Sequence, residues 1–475
     1  MTKSALIIGS GPVGCTFARL LVRAGIDVTM IDAGGSRSTE VAGHLRNAAI
    51  YQHNPDTFTG VIRSNAARIS VPPDGNPEQD PATNLGASRV VRAVGGMGIF
   101  WACATPRAHP VVEHIPFVGD EELSRLYGVA EALLHTTGDA YEMSAQGRVV
   151  KEKLSETGYE VRGLPLAVER LSVDPPLVHW SGPEIILKGG DRRGPSVADD
   201  PRFTLLPEHL CTALVHSGGR VTGAVVRDLT TGARRTLVAD TYVVAGGSVL
   251  TPQLLWASGI RPDALGRYMC EQTMATCQVA LSDELARRLG DGPATVEPNL
   301  WIPVSEGRPW HAQLHRGIFG YAAVPEGVDR RTVTDLVWFS TCDMRRENAV
   351  TFSARVTDPY GLPQPTFHFG PSADDRARAD DMVTDMTKAA TALGKFLPGA
   401  EPRFLEAGFA LHITGTTRMG ADPRDSVADP HAKVWGFDNL YLGGGGVIPA
   451  GVACNTTLTS VALAVRAAEA ITAAT

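Results

Sequence analysis

Strand-length apolar runs followed by helical apolar stripes recur at three separated places along the chain. Residues 5–8 form an unbroken apolar run, which predicts a short buried strand. From residue 13 to 24, Phe17, Leu20, Leu21 and Ala24 fall at helical spacing, and Gly25 supplies a stop. Residues 28–31 predict a second strand, ending at Asp32. The three together read as a βαβ opening. Residues 241–244 are apolar and β-branched; a tight turn at 245–248 and a helix over 251–258 are predicted to follow. Near the end of the chain, 439–442 predict a strand, 443–446 are all glycine, and 457–474 predict a helix.

These pieces predict an α/β architecture with a discontinuous Rossmann-type nucleotide domain, drawn from residues 1–110, 200–265 and 408–475. Residues 111–199 and 266–407 would form a second, sheet-containing α+β domain. It holds strand-like runs such as 333–339 and the aromatics Trp301, Trp310, Phe319 and Tyr321, read mainly as core. Polar loops rich in proline and glycine are expected at 71–77 and 188–195.

Composition narrows the partners. The chain has 475 residues and a net charge of −7, so a mildly acidic surface gives no reason to expect nucleic acid or an anionic membrane. No apolar run approaches the roughly 20 residues of a bilayer-spanning helix. The residues before the first strand leave no room for a leader, which predicts a cytoplasmic protein. Cysteines are scattered without a CxxC pair, so they are expected as small buried residues rather than disulfides or zinc ligands.

The turn after the first strand carries the strongest local chemistry. Gly9-Ser10-Gly11-Pro12-Val13-Gly14 is a G-x-G-x-x-G between a strand and a helix, with Asp32 closing the next strand. Gly9 permits the turn, Gly11 lets backbone approach a diphosphate, and Gly14 lets helix and strand pack closely. The helix N-terminus offers free N–H groups to the diphosphate, and Asp32 would accept from ribose hydroxyls. A glycine-rich turn of some unrelated α/β protein would lack these flanks. The motif alone suits NAD or FAD. A fingerprint at one end of the chain and a glycine-rich strand–helix at the other suit the longer cofactor, FAD.

Residues 95–107, Gly-Gly-Met-Gly-Ile-Phe-Trp-Ala-Cys-Ala-Thr-Pro-Arg, resemble the flavin loop of the pyranose oxidases, members of the glucose–methanol–choline (GMC) oxidoreductases. Residues 265–272 resemble a segment at that family's domain crossover, and 363–367 its substrate-domain strand. Residues 411–420, with the pattern H-x-x-G-T-x-R-M-G, and 443–459 resemble its two closing motifs. The resemblance implies FAD held by Gly96, Met97, Trp101, Ala102, Gly445, Thr456 and Thr457. It implies a catalytic pair, His412 and Asn455, and substrate contact by Gln364. Two departures stand out. Phe100 occupies the place where fungal pyranose oxidases carry a histidine bonded to flavin, so non-covalent FAD is expected. His368 replaces the family's aspartate on the Gln364 strand and is expected, with Gln364, to bind substrate.

Oxidising a carbinol moves a hydride to flavin N5 and a proton to a base within about 3 Å of the hydroxyl. A neutral imidazole suits that base; His412 is the candidate, with Asn455 holding the alcohol oxygen. N–H groups at Thr456 and Thr457 would face the N1/O2 edge of the flavin. The plainer readings are a core histidine on a half-buried strand at 411–413, an N-cap asparagine at 455, and structural roles for Gln364 and His368. His311 and His315 are spaced as a metal pair, but no carboxylate completes the pattern and no metal is expected. Residues 374–381 read as a solvated helix face. The expected activity is FAD-dependent oxidation of a secondary hydroxyl of a pyranose or glycoside at C2 or C3, a C-glycoside at C3 being favoured, with O2 as acceptor. The alternatives are a dehydrogenase using another acceptor and a non-redox lyase on the same scaffold. A monomer or small homo-oligomer is expected, since the chain is shorter than the fungal enzymes.

Overall fold

A computed structural model describes the chain apart from residues 1–2, 54–57, 59–75, 143, 174–175, 191–193, 291–298, 316–323 and 475. Phe319 and Tyr321, most of the 71–77 loop and the middle of the 188–195 loop lie outside the described residues.

The predicted βαβ opening is present as strand Ser4–Ile8, helix Pro12–Arg23 and strand Asp27–Ile31. Five parallel strands make this sheet, in the order Leu440–Leu442, Thr241–Val244, Ser4–Ile8, Asp27–Ile31, Phe203–Leu206. Apolar runs fit this arrangement because a parallel sheet is covered on both faces. Strand Phe203–Leu206 is an addition to the predicted set. Helices Pro12–Arg23 and Thr457–Ala473 pack against each other, and Asp120–Leu134 packs on the latter. There the Tyr127 hydroxyl meets Thr459 Oγ1 at 2.9 Å.

The segment 111–199, expected wholly in the second domain, divides by packing. Leu126, Leu134, Leu166, Trp180 and Ile186 join the core of the nucleotide domain, while Val149, Val150, Leu154 and Val161 join the other. The cause is the apolar stripe of Asp120–Leu134, which finds its partner on the C-terminal helix.

Helix Gly247–Ala257 begins four residues before its expected start, with Pro252 inside it. Pro252 has no N–H for the carbonyl four residues back. That carbonyl, on Ser248, instead accepts from the Thr416 hydroxyl at 2.6 Å. Ser248 Oγ in turn donates to the Ile413 carbonyl at 2.6 Å, so the helix start is tied to the chain around His412.

The second domain is built on a seven-stranded antiparallel sheet whose central strands are Thr273–Leu281, Val333–Ser340, Trp310–His315 and Leu300–Ile302. Side chains alternate between its faces. Cys277, Leu336, Trp338, Ala312 and Leu314 face helix Ala373–Leu393, where Met382 and Met386 complete an apolar core. The opposite face is also buried but largely polar. His311, Gln313 and His315 share it with Asp335, Phe339, Thr276 and Gln278.

One carboxylate ties the apolar layer together. Asp385 Oδ2 accepts from the indole N–H groups of Trp310 and Trp338, each at 3.0 Å, and Oδ1 accepts from the Tyr159 hydroxyl at 3.0 Å. Asp385→Ala strands two indole donors in the core. The urea midpoint of the holoenzyme should fall by the equivalent of about 2–4 kcal/mol. A shift near zero would mean that water reaches both indoles.

Candidate active site

A single long cleft runs from the first glycine turn to the chain around His412. Gly9, Gly11 and Asp32 line one end; Ile413, Gly445 and Thr456 line the other. Counted out to its mouth, its volume is about 1510 Å³. Its lining runs from the first glycine turn and Asp32 through the 95–107 loop to Gly445 and Thr456, an extent that suits an elongated dinucleotide.

The chemistry of its lining fits FAD. Gly9 has φ +108°, and a Cβ there would sit 2.5 Å from the Ala245 carbonyl oxygen. Gly11 caps helix Pro12–Arg23 without a side-chain bond, which leaves first-turn N–H groups directed at the cleft. Asp32 accepts from Ser10 N–H at 3.0 Å, Ser10 Oγ at 2.6 Å and Gly34 N–H at 2.9 Å. Burial raises its carboxyl pKa while those donors pull it down. Ser10 Oγ also accepts from Gly95 N–H at 2.9 Å, which joins the 95–107 loop to the glycine turn. At the far end, helix Thr457–Ala473 starts at Thr456 with no side-chain cap, so a second uncapped helix terminus faces the cleft.

Beside that terminus, four side chains form a directed chain of hydrogen bonds. Gln272 Nε2 donates to the carbonyls of Val452 and Cys454, both at 2.8 Å. Its Oε1 is thereby an acceptor, and His412 Nδ1–H donates to it at 2.7 Å. That fixes the proton of a neutral His412 on Nδ1 and leaves a lone pair on Nε2. Asn455 Nδ2 donates to His412 Nε2 at 3.3 Å, and Asn455 Oδ1 accepts from Gln313 Nε2 at 2.7 Å. Burial lowers the His412 pKa to about 4, so the ring is neutral around pH 7.

Two buried carboxyl groups hold the backbone on either side. Glu271 accepts from His412 N–H at 3.2 Å and from Gln272 N–H at 2.7 Å. Burial pushes its pKa up to about 8. Glu113 accepts from Ala453, Cys454 and His109 N–H groups at 2.6, 2.8 and 2.6 Å. The peptide that carries Asn455 is thus anchored from a distant part of the chain.

The structure brings together most of the residues singled out in the sequence. Gly9, Gly11, Asp32, Gly96, Met97, Trp101, Gly445, Thr456 and Thr457 line the cleft, and His412 and Asn455 meet at its end. Gly14 packs under the Gly9 carbonyl rather than lining the cleft, as expected of its packing role. Ala102 lies outside the lining, and Phe100 is buried in a cluster with Phe58, Ala93 and Ile99.

Several expectations need correction. His412 is not on a strand: Leu411 has φ +58°, and bridging begins only with the Cys270–Thr414 pair. Asn455 is not the N-cap, because Thr456 holds that place and the Asn455 side chain is engaged by His412 and Gln313. Gln364 lies on strand Pro363–His368, but its amide turns back to the Pro365 carbonyl at 3.3 Å. His368 is exposed and bonded to Thr351 Oγ1 at 3.0 Å. Neither is hydrogen-bonded to His412 or Asn455. Gln313, Gln272, Glu271 and Glu113 were missed. Glu271 and Gln272 lie in the 265–272 segment, which stood out only as a family resemblance, and Gln313 left a trace in the alternation of His311, Gln313 and His315 along a strand. His311 and His315 are likewise apart from the one His/carboxylate group that the described residues assemble, Glu40, His179 and Glu184, where Lys188 already pairs with Glu40.

Comparison with known proteins shows the family. The GMC oxidoreductase profile matches residues 202–274 and 344–464, and an FAD-binding-domain profile matches residues 2–50. The chain is 38% identical to a pyranose 2-oxidase of Tricholoma matsutake, over 98% of this chain and 93% of that one. It is 34% identical to a C-glycoside 3-oxidase of Microbacterium trichothecenolyticum, over 98% and 95% respectively. Among solved structures, a pyridoxine 4-oxidase from Mesorbium loti superposes with a TM-score of 0.70 at 16% identity, covering 99% of both chains, which speaks to the fold.

Proposed function

The chain belongs to the GMC oxidoreductase family, and on that premise we propose that it oxidises a secondary hydroxyl of a pyranose, as free sugar or glycoside, to a keto-sugar. The observation that carries this reading is the directed hydrogen-bond chain that leaves an unprotonated Nε2 on His412. FAD, when bound, supplies the two-electron acceptor for the hydride that leaves the carbinol carbon. His412 Nε2 takes the hydroxyl proton as the carbonyl forms. Asn455 Nδ2 moves its hydrogen bond from His412 to the substrate oxygen and holds it over the base. Gln313 keeps the Asn455 amide from flipping, because its N–H occupies Asn455 Oδ1. The uncapped N-terminus of helix Thr457–Ala473 favours negative charge at that end of the cleft.

O2 as the final acceptor makes hydrogen peroxide the second product. A glycoside at C3 rests on two grounds, His368 and the shorter chain; the exposed position of His368 takes away the first, and the named relatives support C2 and C3 alike. The chain is read as a monomer or small homo-oligomer. No helix among the described residues is long and apolar enough to cross a membrane. Cytoplasmic residence is part of the same reading, supported by seven buried free thiols.

The test is anaerobic bleaching of the flavin by a panel of free sugars and O- and C-glycosides, with NMR of the keto product and peroxide assay in air. At least one sugar should bleach the cofactor and yield a 2-keto or 3-keto product. A flavin that no sugar bleaches would overturn the reading, and turnover without peroxide would point to a different acceptor. Acid precipitation should release all the yellow colour into the supernatant, because Phe100 offers no nucleophile and packs away from the cleft. Colour retained in the pellet would contradict non-covalent binding.

A further inference from the structure

The polar face of the seven-stranded sheet holds a histidine that the reaction above does not use. His311 and Gln313 project from the same face of strand Trp310–His315, about 6.6 Å apart along the strand. Gln313 bonds Asn455. The His311 ring lies 4.7 Å from that of Phe339, which lies 6.2 Å from that of His412. Trp301 Nε1–H donates to His311 Nδ1 at 3.0 Å. An indole nitrogen can only donate, so Nδ1 is the unprotonated nitrogen and the ring proton of the neutral form sits on Nε2. Burial keeps the ring neutral, its pKa lowered to about 3.

His311 is 0% exposed, and its Nε2 has no hydrogen-bond partner among the described residues. A buried donor left unpaired forfeits its hydration without compensation. Native interiors rarely tolerate one without a reason. Here the orphan shares its sheet face with the residue that holds Asn455. We propose that His311 donates its Nε2–H to a hydroxyl of the bound sugar other than the one oxidised, and so helps set which sugar and which carbon are accepted. This rests on the sugar-oxidising reading of the site. The hydroxyl–imidazole bond is made on binding and kept through oxidation, so it acts on affinity and orientation rather than on the chemical step.

Two substitutions separate this contact from a packing role. His311→Asn places a carboxamide oxygen near the Nδ1 position for Trp301 and ends short of Nε2. His311→Gln places an amide donor near the Nε2 position. Anaerobic mixing of each holoenzyme with sugar gives the dissociation constant and the limiting bleaching rate separately. For His311→Asn the dissociation constant should rise about five- to tenfold with the limiting rate within about twofold of the parent, and His311→Gln should recover part of the loss. Monodeoxy sugars, used as substrates or competitive inhibitors, identify the hydroxyl. One of them should lose affinity with the parent enzyme yet suffer no added loss with His311→Asn. If every monodeoxy sugar keeps the same ratio between parent and variant, His311 bonds only a trapped water and the inference fails. If no sugar bleaches the parent, it is the reading of the whole site that fails.

Discussion

Alanine at position 412 should give a folded, yellow holoenzyme that sugar bleaches about 10²–10⁴-fold more slowly than the parent. The fold should survive because His412 is held by its backbone as much as by its ring. Its N–H bonds Glu271, and alanine keeps that bond. The neighbouring Ile413 carbonyl accepts from Ser248 whatever stands at 412. The cleft is lined by Leu411 and Ile413 rather than by the imidazole, so FAD affinity should be unchanged. What is lost is the Nε2 lone pair and the partner of Asn455 Nδ2. The same argument fixes the pH profile. Only the neutral ring accepts a proton, and burial lowers its pKa to about 4. Bleaching of the parent enzyme should therefore be flat between about pH 5 and 7 and fall about tenfold per unit below about pH 4. In the alanine variant that fall should disappear. Parent-like bleaching by the variant would place the proton acceptor elsewhere.

Part of the site is legible in the sequence because its determinants are local. The glycine turn, its helix and Asp32 lie within one βαβ unit, where backbone geometry leaves few options. His412 and Asn455 are legible through their resemblance to local motifs. Gln313 is not, because its role depends on register. It meets Asn455 only because strand Trp310–His315 lies beside Leu300–Ile302 and Val333–Ser340 in a register that puts Gln313 on the face where Asn455 lies. Period-two alternation reveals that a strand has two faces but not which one meets the cofactor cleft. Strand Pro363–His368 shows the same limit from the other side. It carries a glutamine and a histidine at the spacing a substrate-binding strand would have, yet Gln364 turns inward to its own strand and His368 outward to solvent. Apolar alternation at 411–413 likewise suggests a strand, because no pattern of side chains announces the left-handed backbone at Leu411. The carboxyl groups of Glu271 and Glu113 bond main-chain N–H groups, a role open to any acidic residue and therefore without a signature.

Gly14→Ala should yield no recoverable holoenzyme, whereas Gly11→Ala should yield a stable protein that binds FAD poorly. The two positions belong to one motif, and the contrast separates its two functions. A Cβ on Gly14 would lie 1.9 Å from the Gly9 carbonyl oxygen and 3.0 Å from its carbon. Both are backbone atoms, and Gly9 is itself pinned by its N–H to the Ile31 carbonyl at 2.9 Å. No side chain can give way, so helix and strand must separate at the centre of the parallel sheet. That cost is about 4 kcal/mol or more, enough to remove most of a domain's stability. Gly11 has φ −65°, an angle alanine adopts without strain, and its Cβ would meet only the Gly95 carbonyl oxygen at 3.9 Å. The apoprotein should unfold at the parent's urea midpoint. The added methyl group instead points into the cleft beside the uncapped helix terminus and keeps a diphosphate from its N–H groups. Losing one or two such charge-assisted bonds raises the FAD dissociation constant about a hundredfold. The yield of soluble yellow protein measures the first effect, and flavin titration of the Gly11→Ala apoprotein, with urea unfolding in parallel, measures the second. A Gly11→Ala protein with parent affinity would show that the diphosphate does not lie against this turn.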